Sequence, residues 1–342
     1  MSPRIGLWGA GMISGAHGAA AKLLGMPLVG VASRTPERAA GQAERLGTPA
    51  MTYDDLPGDA EIVVVSTPPQ MHAGDTLRLL DAGAAVVLEK PLCTTLADAD
   101  ALVAAAAAHQ QRVLYAENLA YAPVVQTLLS RAVDLGPITH LEVRSLQSLP
   151  TWGEFTSDAW GGGALFDLGV HPLALAVLAA AANGAGPVVS VSADLRGGDG
   201  HNSDEHAEVQ LRFRNGLVGT VISSWQNPDS QTWDVQLSSA TGVLRAEFWP
   251  RPTLEHNGDP VALPPNDSPL AFIDEMGYTG QLRAFADDIA SGSTPLMDVE
   301  FGRLILEIVC AAYWSAGHAG APEPVPFTGP RDKTPLQLWH GT

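Results

Sequence analysis

Asp167 and His171 are the residues whose types and spacing best fit proton-transfer chemistry. They lie four positions apart, and residues four apart on a helical turn present their side chains to one face. A histidine with a pKa near neutrality can take a hydroxyl proton as hydride leaves the attached carbon. We predict that His171 is a general base and that Asp167 orients its ring or binds a second hydroxyl. The residues alone leave a structural alternative open: Asp167 caps the helix that begins near Leu168, and His171 is a satisfied, partly buried side chain.

A glycine turn near the N-terminus predicts a dinucleotide site. It follows a strand pattern over residues 4–8 and opens an Ala-rich segment, to Leu24, that can be helical. The turn differs from the G-x-G-x-x-G fingerprint only at its third position, where Ser14 is still compatible with close helix packing. Helix N-terminal amides can hold a pyrophosphate. The turn residues predicted to contact the cofactor are Gly9, Gly11, Met12 and Ile13.

The end of the second predicted strand bears on which nicotinamide cofactor is bound. An Asp or Glu about 20 residues past the turn would bind the ribose 2′-hydroxyl of NAD. This chain instead has Ser33 and Arg34 there, with Arg38 one helical turn later. A guanidinium can pair bidentately with a 2′-phosphate, so these three residues favour NADP over NAD. A solvated arginine beside an NAD ribose is the alternative.

The elements that must position these residues form two patterns. Up to Asn118, strands at 4–8, 28–32, 62–66, 85–89 and 113–117 alternate with helices at 36–46, 72–82 and 96–109. Such alternation predicts an α/β fold, a doubly wound parallel sheet of the Rossmann type. We predict a dinucleotide-binding domain over residues 1–118.

The remaining residues, 119–342, carry a different pattern. Strand-like runs follow one another at 138–147, 188–195, 206–213, 218–225, 233–239 and 243–248, framed by helical patterns at 123–132, 170–182, 280–291 and 299–316. Successive strands predict an α+β substrate-binding domain on a largely antiparallel sheet. The tail contains Leu336, Leu338 and Trp339, which are costly to leave in water, so we expect it to pack back on the body.

Composition excludes several function classes. A formal net charge of -18 and no Lys/Arg cluster argue against nucleic acid as a partner. Cys93 and Cys310, far apart and in apolar context, predict buried reduced thiols and a cytoplasmic location. The N-terminus lacks the pattern of a secretory signal, and the longest apolar runs fall short of the roughly 20 residues of a membrane span.

The segment from His201 to His206 contains metal-ligand residue types. It follows several glycines and precedes a strand pattern, which is typical of a polar turn. We predict that the protein has no metal site.

Three motifs carry a family resemblance. Ser66-Thr-Pro-Pro69 is followed by His72, then come Glu89-Lys-Pro91 and Gly161-Gly-Gly-Ala-Leu-Phe-Asp-Leu-Gly-Val-His171. In this order, after an N-terminal glycine turn, they resemble the glucose-fructose oxidoreductase, inositol dehydrogenase and rhizopine catabolism (Gfo/Idh/MocA) family over nearly the whole chain.

The resemblance implies a site. Lys90 would lie beside the nicotinamide and the substrate hydroxyl, where its ammonium stabilises alkoxide charge, and Asp167 and His171 would complete the catalytic group. Pro91 would follow a cis bond. The other residues that the resemblance places near the cofactor are Ser66, Thr67, Pro68, His72, Glu89 and Asn118, for which loop and helix capping is the alternative.

The predicted substrate is a small molecule, a sugar, polyol or related cyclic compound with a secondary alcohol or ketone. Its predicted contacts are Lys90, Tyr121, Trp152, Trp160, Asp167 and His171, although tryptophans also serve as core or interface. The family often has an Asp three residues after the histidine; Ala174 stands there, which leaves polyol specificity open.

The expected activity is NAD(P)-dependent hydride transfer. A glycosidase that oxidises a ring carbon transiently with bound cofactor, and an inactive nucleotide-binding regulator, are the alternatives. In the family the second-domain sheet has an open face, so we expect a homodimer or homotetramer through strands such as 138–147 and 218–225.

Overall fold

The computed structural model describes residues 2–110, 112–151, 153–227 and 229–342, which form two compact units. The first unit contains the chain up to Cys93 together with Ala97–Ala122 and Asn266–Arg303. The second contains Thr94–Leu96, Pro123–Pro265 and Leu304–Thr342. The sequence predicted a single domain boundary, near Asn118. In the structure, residues 266–303 also belong to the first unit.

The first unit is built on residues 5–116. Its strands are β1 (Ile5–Trp8), β2 (Leu28–Ala32), β3 (Ala50–Met51), β4 (Ile62–Val65), β5 (Ala85–Glu89) and β6 (Val113–Ala116). Its helices there are α1 (Met12–Leu23), α2 (Pro36–Leu46), α3 (Leu56–Asp59), α4 (Pro69–Asp81) and α5 (Leu96–Ala108), and a 3-10 helix follows at Asn118–Tyr121.

The six strands form one parallel sheet in the order β3-β2-β1-β4-β5-β6. Strands β1, β4, β5 and β6 are buried along their whole length, as expected when helices cover both faces of a parallel sheet. This confirms the predicted Rossmann-type fold.

The second unit begins with α6 (Pro123–Asp134), β7 (Ile138–Leu146), a 3-10 helix at Asp158–Trp160, α7 (Ala164–Asp167) and α8 (Val170–Ala182). Seven strands follow: β8 (Val188–Gly197), β9 (Asp204–Phe213), β10 (Val218–Ser224), β11 (Thr232–Ser239), β12 (Val243–Glu247), β13 (Thr253–His256) and β14 (Asp259–Pro260). The last elements of the chain are α9 (Ala271–Glu275), α10 (Tyr278–Ser291), α11 (Val299–Gly317), β15 (Glu323–Pro324) and α12 (Pro335–His340).

The nine-stranded sheet of the second unit has the order β14-β13-β12-β11-β7-β10-β9-β8-β15. Among the described residues, β7 and β10 are the one pair of this sheet that is parallel, so the prediction of a largely antiparallel sheet is confirmed. Buried and more exposed residues alternate over most of β7 and β9, because successive side chains point to opposite faces. The nearly all-apolar α8 packs against β7, β10 and α6.

Long-range contacts explain why residues 266–303 belong to the first unit. Helix α10 packs on α1 and on the 3-10 helix at Asn118–Tyr121, and the side chain of Asn118 donates to the carbonyl of Met276 at 2.7 Å. Because these contacts join segments far apart in sequence, local periodicity could not predict them.

The C-terminal tail packs within the second unit. Leu336 and Leu338 are buried, and the Leu336 amide donates to the Gly161 carbonyl at 2.8 Å. Thr334 and Gln337 form a capping box at the start of α12, which satisfies its first amides.

Across the described residues, no single helix has the length and apolar character to cross a membrane, although the bent pair Asp158–Asp167 and Val170–Ala182 passes that test by length and composition alone.

Candidate active site

The glycine turn between β1 and α1 is shaped for close approach of another group. Gly9 has φ +123°, and a Cβ on it would lie 2.7 Å from the Ser66 carbonyl oxygen. A Cβ on Gly11 would meet nothing within 4 Å, so open space lies beside the first turn of α1. The buried Ser66 hydroxyl has no hydrogen-bond partner among the described residues. An open, glycine-lined helix N-terminus with an unpaired hydroxyl fits a dinucleotide phosphate.

Met12 and Ile13 form the first turn of α1. The side chain of Met12 is 67% exposed, which is unusual for a large apolar residue, and Ile13 is partly exposed. Both therefore border the open space beside Gly11.

Ser33, Arg34 and Arg38 lie after β2, as the sequence predicted. The Ser33 hydroxyl accepts from the Thr35 amide at 3.3 Å, and Arg34 and Arg38 are exposed. Within the described ranges, no ion pair to a carboxylate engages either guanidinium. Two exposed guanidinium groups at this position can receive a phosphate.

The loop between β4 and α4 contains three of the residues that the resemblance placed near the cofactor. Pro68 immediately precedes α4, and the Thr67 hydroxyl donates to Asp75 at 2.7 Å. His72 is only 1% exposed; its Nδ1 lies 2.9 Å from the Pro91 carbonyl and its Nε2 lies 2.7 Å from the Thr67 carbonyl. Burial lowers the pKa of His72. Through these two contacts, His72 joins the loop between β4 and α4 to Pro91, the residue after Lys90.

Glu89 is the last residue of β5, and Lys90 follows it. Glu89 is buried, its Oε2 accepts from the Lys90 amide at 3.1 Å, and the Lys90 side chain is partly exposed. The Lys90-Pro91 peptide bond is cis, as the resemblance implied.

His17 was not predicted and lies at the centre of this part of the first unit. It is on the buried face of α1, its Nε2 lies 2.6 Å from Glu89 Oε1, and its ring meets the Tyr278 ring edge-on at 5.3 Å. A single polar residue in the otherwise small and apolar stretch 15–21 was the signal that the sequence offered. Through Glu89, His17 links the helix of the glycine turn to the backbone of Lys90.

Asn118 and Tyr121 lie in the 3-10 helix after β6. Asn118 is 5% exposed and its amide side chain donates to Met276, while the Tyr121 hydroxyl accepts from the Met297 amide at 3.3 Å. Burial raises the pKa of Tyr121. Both side chains therefore bind backbone of the segment 266–303, a role that sequence reasoning did not predict for them.

Asp167 and His171 lie on successive helices of the second unit. Asp167 ends α7 and is partly exposed, and His171 is the second residue of α8 and is 6% exposed. The ring of His171 lies 5.7 Å from the ring of Trp233 on β11. The two helices are separated only by Leu168 and Gly169, so the predicted single turn is a short helix followed by a second one.

The aromatic residues before the glycine run have different positions. Trp160 is partly buried and packs edge-on against Phe155 at 4.7 Å, and Phe155 in turn contacts Trp225. Trp152 lies outside the described residues, so its predicted substrate contact stays a prediction.

In the described part of the chain, no group of three or more His, Cys, Asp or Glu side chains could hold a metal ion. In the segment 201–206, His201 pairs with Glu205 at 3.1 Å instead.

Two family models match the chain. Residues 3–117 match the model described as an oxidoreductase family with an NAD-binding Rossmann fold, and residues 129–245 match the GFO/IDH/MocA C-terminal domain. The two matches lie almost wholly in different units and support the resemblance that the three motifs predicted.

Several named relatives are sugar oxidoreductases. The chain is 25% identical to D-glucoside 3-dehydrogenase of Escherichia coli over 85% of this chain and 88% of that protein. It is 36% identical to dTDP-3,4-didehydro-2,6-dideoxy-alpha-D-glucose 3-reductase of Streptomyces violaceoruber over 43% of this chain and 45% of that protein. The crystal structure of GenD2 from gentamicin A biosynthesis in complex with NAD shares the fold, with TM-score 0.81, 24% identity, and coverage of 95% and 96% of the two chains.

Proposed function

Because the chain belongs to the Gfo/Idh/MocA oxidoreductase family, we propose that it transfers hydride between a nicotinamide cofactor and carbon 3 of a glucose-derived sugar. The reaction interconverts a secondary alcohol and a ketone. The observation that carries the proposal is the match of both halves of the chain to the family together with the presence of Lys90, Asp167 and His171. Position 3 is taken from the names of the two sugar-oxidising or sugar-reducing relatives.

The proposed roles follow from the chemistry of the three side chains. In alcohol oxidation a ring nitrogen of His171 takes the proton of the substrate hydroxyl, and the Lys90 ammonium stabilises the negative charge on that oxygen. The Asp167 carboxylate orients the imidazole or binds a neighbouring hydroxyl. When bound, the nicotinamide supplies the hydride acceptor. In ketone reduction the same groups return the proton to oxygen.

The aromatic pair Trp160 and Phe155 is the proposed surface for a sugar ring, because the apolar face of a pyranose packs on aromatic rings. The two ring centroids lie 4.7 Å apart, and Trp160 is partly exposed. Trp152 and Tyr121 are also proposed to contact the substrate.

NADP is the proposed preferred cofactor. The support is the pair of exposed guanidinium groups, Arg34 and Arg38, at the position where NAD-specific chains use a carboxylate. The glycine turn and the Ser66 hydroxyl would hold the diphosphate of either cofactor.

A second copy of this chain is the proposed protein partner. Strands β7, β11 and β12 share a cross-strand charge network: Asp234 accepts from Arg144 at 2.8 Å and from Arg245 at 3.4 Å. A patch with both charge signs can pair with itself about a two-fold axis. We expect light scattering to show a dimer or tetramer, and Ile222→Lys on β10 to shift it towards the monomer; a wild-type monomer would contradict this.

A reducing compartment, the cytoplasm, is the proposed location. Its support is that Cys93 and Cys310 are both buried thiols. Alkylation of the unfolded protein after extraction under trapping conditions should find both cysteines reduced.

The test is turnover of the purified protein with glucose, methyl glucosides, UDP-glucose and myo-inositol, followed by cofactor absorbance. We expect Lys90→Met and His171→Ala to lower kcat about 10²- to 10⁴-fold while folding and cofactor binding persist. Lys22→Met and His318→Ala, at exposed positions, are the matched controls. Unchanged rates in the first pair would remove these residues from the mechanism, and no turnover with any sugar would contradict the proposed substrate class.

A further inference from the structure

Asp204 is a buried carboxylate bound to the backbone that precedes Asp167. Its side chain is 0% exposed, and its two oxygens accept from different amides: Oδ1 from Gly163 at 3.0 Å and Oδ2 from Leu165 at 2.8 Å. These are amides at the N-terminus of α7, which a carboxylate satisfies as a helix cap. The cap comes from a residue 39 positions further along the chain than Leu165.

Tyr313 on α11 completes the arrangement. Its hydroxyl donates to Asp204 Oδ1 and accepts from the Gly163 amide at 2.9 Å, and its side chain is fully buried. Asp204 therefore has three donors, which is how a carboxylate is held in a buried place.

The approach of the two backbones permits only glycine at position 163. A Cβ there would lie 2.1 Å from the Asp204 carbonyl oxygen and 2.5 Å from Oδ1. The absent side chain thus brings strand β9 against the start of α7.

Backbone hydrogen bonds connect the start of α7, which Asp204 caps, to Asp167 and to the segment that precedes His171. The Asp167 amide donates to the Gly163 carbonyl at 2.9 Å, and the Gly169 amide donates to the Ala164 carbonyl at 2.9 Å. Helix α8, which contains His171, begins one residue after Gly169. A change at the Asp204 cap would therefore displace the backbone from which both proposed catalytic side chains project.

We propose that Asp204, fixed by Tyr313, is a positioning residue that sets the geometry of Asp167 and His171 for hydride transfer. This rests on the proposed function, since it assigns a role in that reaction. Asp204 touches neither substrate nor cofactor in this proposal and acts only through the α7 backbone.

The distinguishing test compares Asp204→Asn and Tyr313→Phe with wild type. Ser203→Ala is the matched control, because Ser203 is the adjacent residue, is equally buried, and has a hydroxyl without a hydrogen-bond partner among the described residues. We expect Asp204→Asn to lower kcat about 10- to 100-fold, the scale of a catalytic group misplaced by about 1 Å. The KM for the nicotinamide cofactor should stay within about twofold of wild type, and Ser203→Ala should match wild type in both.

Hydrogen exchange supplies a readout that does not depend on turnover. Peptides covering residues 161–173 should exchange faster in Asp204→Asn than in wild type or Ser203→Ala. If exchange rises while kcat is unchanged, Asp204 is only structural and the positioning role is overturned. Unchanged exchange overturns the capping itself.

Three further outcomes are decisive. If Asp204→Asn does not fold, Tyr313→Phe retains the carboxylate and is expected to lower kcat about 3- to 10-fold by removal of one donor; a kcat equal to wild type overturns the proposal. If the wild-type protein turns over no sugar with either cofactor, the proposed function fails and the positioning role fails with it. An active wild type with variants whose kcat equals that of wild type overturns the positioning role alone.

Discussion

The Nε2 atom of His17 lies 2.6 Å from Oε1 of Glu89, and both side chains are buried in the first unit. Glu89 Oε2 also accepts from the Lys90 amide. The helix that begins at the glycine turn is therefore joined, through one carboxylate, to the backbone of the proposed catalytic lysine.

Replacing His17 with Ala removes a hydrogen bond to a buried carboxylate. We expect the free energy of unfolding to fall by about 2–3 kcal/mol, since bonds to charged groups contribute more than neutral ones. Urea denaturation followed by circular dichroism measures this. His109→Ala, at a half-exposed histidine beside Asp81, is the control and should change stability by less than about 0.5 kcal/mol. Equal midpoints for the two variants would show that the His17–Glu89 contact does not stabilise the fold.

Gly163 and Gly74 form a contrasting pair for alanine substitution. At Gly163 the new Cβ would overlap the Asp204 backbone, whereas at Gly74, exposed on α4, it meets nothing within 4 Å. We expect Gly163→Ala to destabilise by at least about 2 kcal/mol and Gly74→Ala to stabilise by about 0.5–1 kcal/mol, as Ala does in a helix interior. Thermal unfolding ranks the two. A Gly163→Ala variant as stable as wild type would refute the close backbone approach.

The sequence predicted five of the six strands of the parallel sheet because their signal is local. Buried parallel strands such as Ile62–Val65 are continuous apolar runs, and Gly47 in the left-handed region ends α2 where the pattern ends. The two-residue strand Ala50–Met51 and the four-residue helix Leu56–Asp59 are too short to show a period.

Local sequence patterns could not predict the buried residues that support the proposed site. Asp204 starts β9, next to a register shift in its pairing with β8, so strand alternation does not identify it as buried. It therefore looked like part of a polar turn. The motif predicted that His72 lies near the cofactor. In the structure its two ring nitrogens instead contact the carbonyls of Thr67 and Pro91. Pro91 comes close to His72 only in the folded chain.

Asp204 also gives a pH dependence to stability. Burial raises its pKa to about 6, although hydrogen bonds from Tyr313 and from backbone amides oppose that rise. This value lies above the pKa of about 4 in an unfolded chain. The folded state therefore binds the proton more tightly, and ionisation costs folding free energy as pH rises between those values. Relative to Asp204→Asn, the free energy of unfolding of wild type should fall by up to about 3 kcal/mol from about pH 4 to about pH 6.

Urea unfolding of wild type and Asp204→Asn across this pH range measures the difference between their free energies of unfolding. The other carboxylates are the same in both proteins, so their contributions cancel. Above about pH 7 the difference should be constant. A difference that increases with pH would mean that the donors depress the pKa of Asp204 below its unfolded value.

Cofactor choice depends on Arg34 and Arg38 in the proposed function. Arg34→Ala should raise the KM for NADP about 10-fold by loss of a charge-assisted contact and leave the KM for NAD within about twofold. Arg45→Ala, on the same helix as Arg38 but at its far end, is the control and should alter neither value. Steady-state kinetics with each cofactor decides this, and equal losses for NADP and NAD would remove the 2′-phosphate as the reason.

Hydride transfer from carbon 3 is the central claim, and an isotope label tests it most directly. Methyl glucoside and UDP-glucose, each deuterated only at carbon 3, would be incubated with the protein and oxidised NADP or NAD, and the reduced cofactor analysed by mass spectrometry. We predict that deuterium appears in the nicotinamide ring with wild type and accumulates about 10²- to 10⁴-fold more slowly with His171→Ala. Reduced cofactor formed without the label would show that hydride leaves another carbon, and no reduced cofactor from any of these sugars would contradict the proposed reaction.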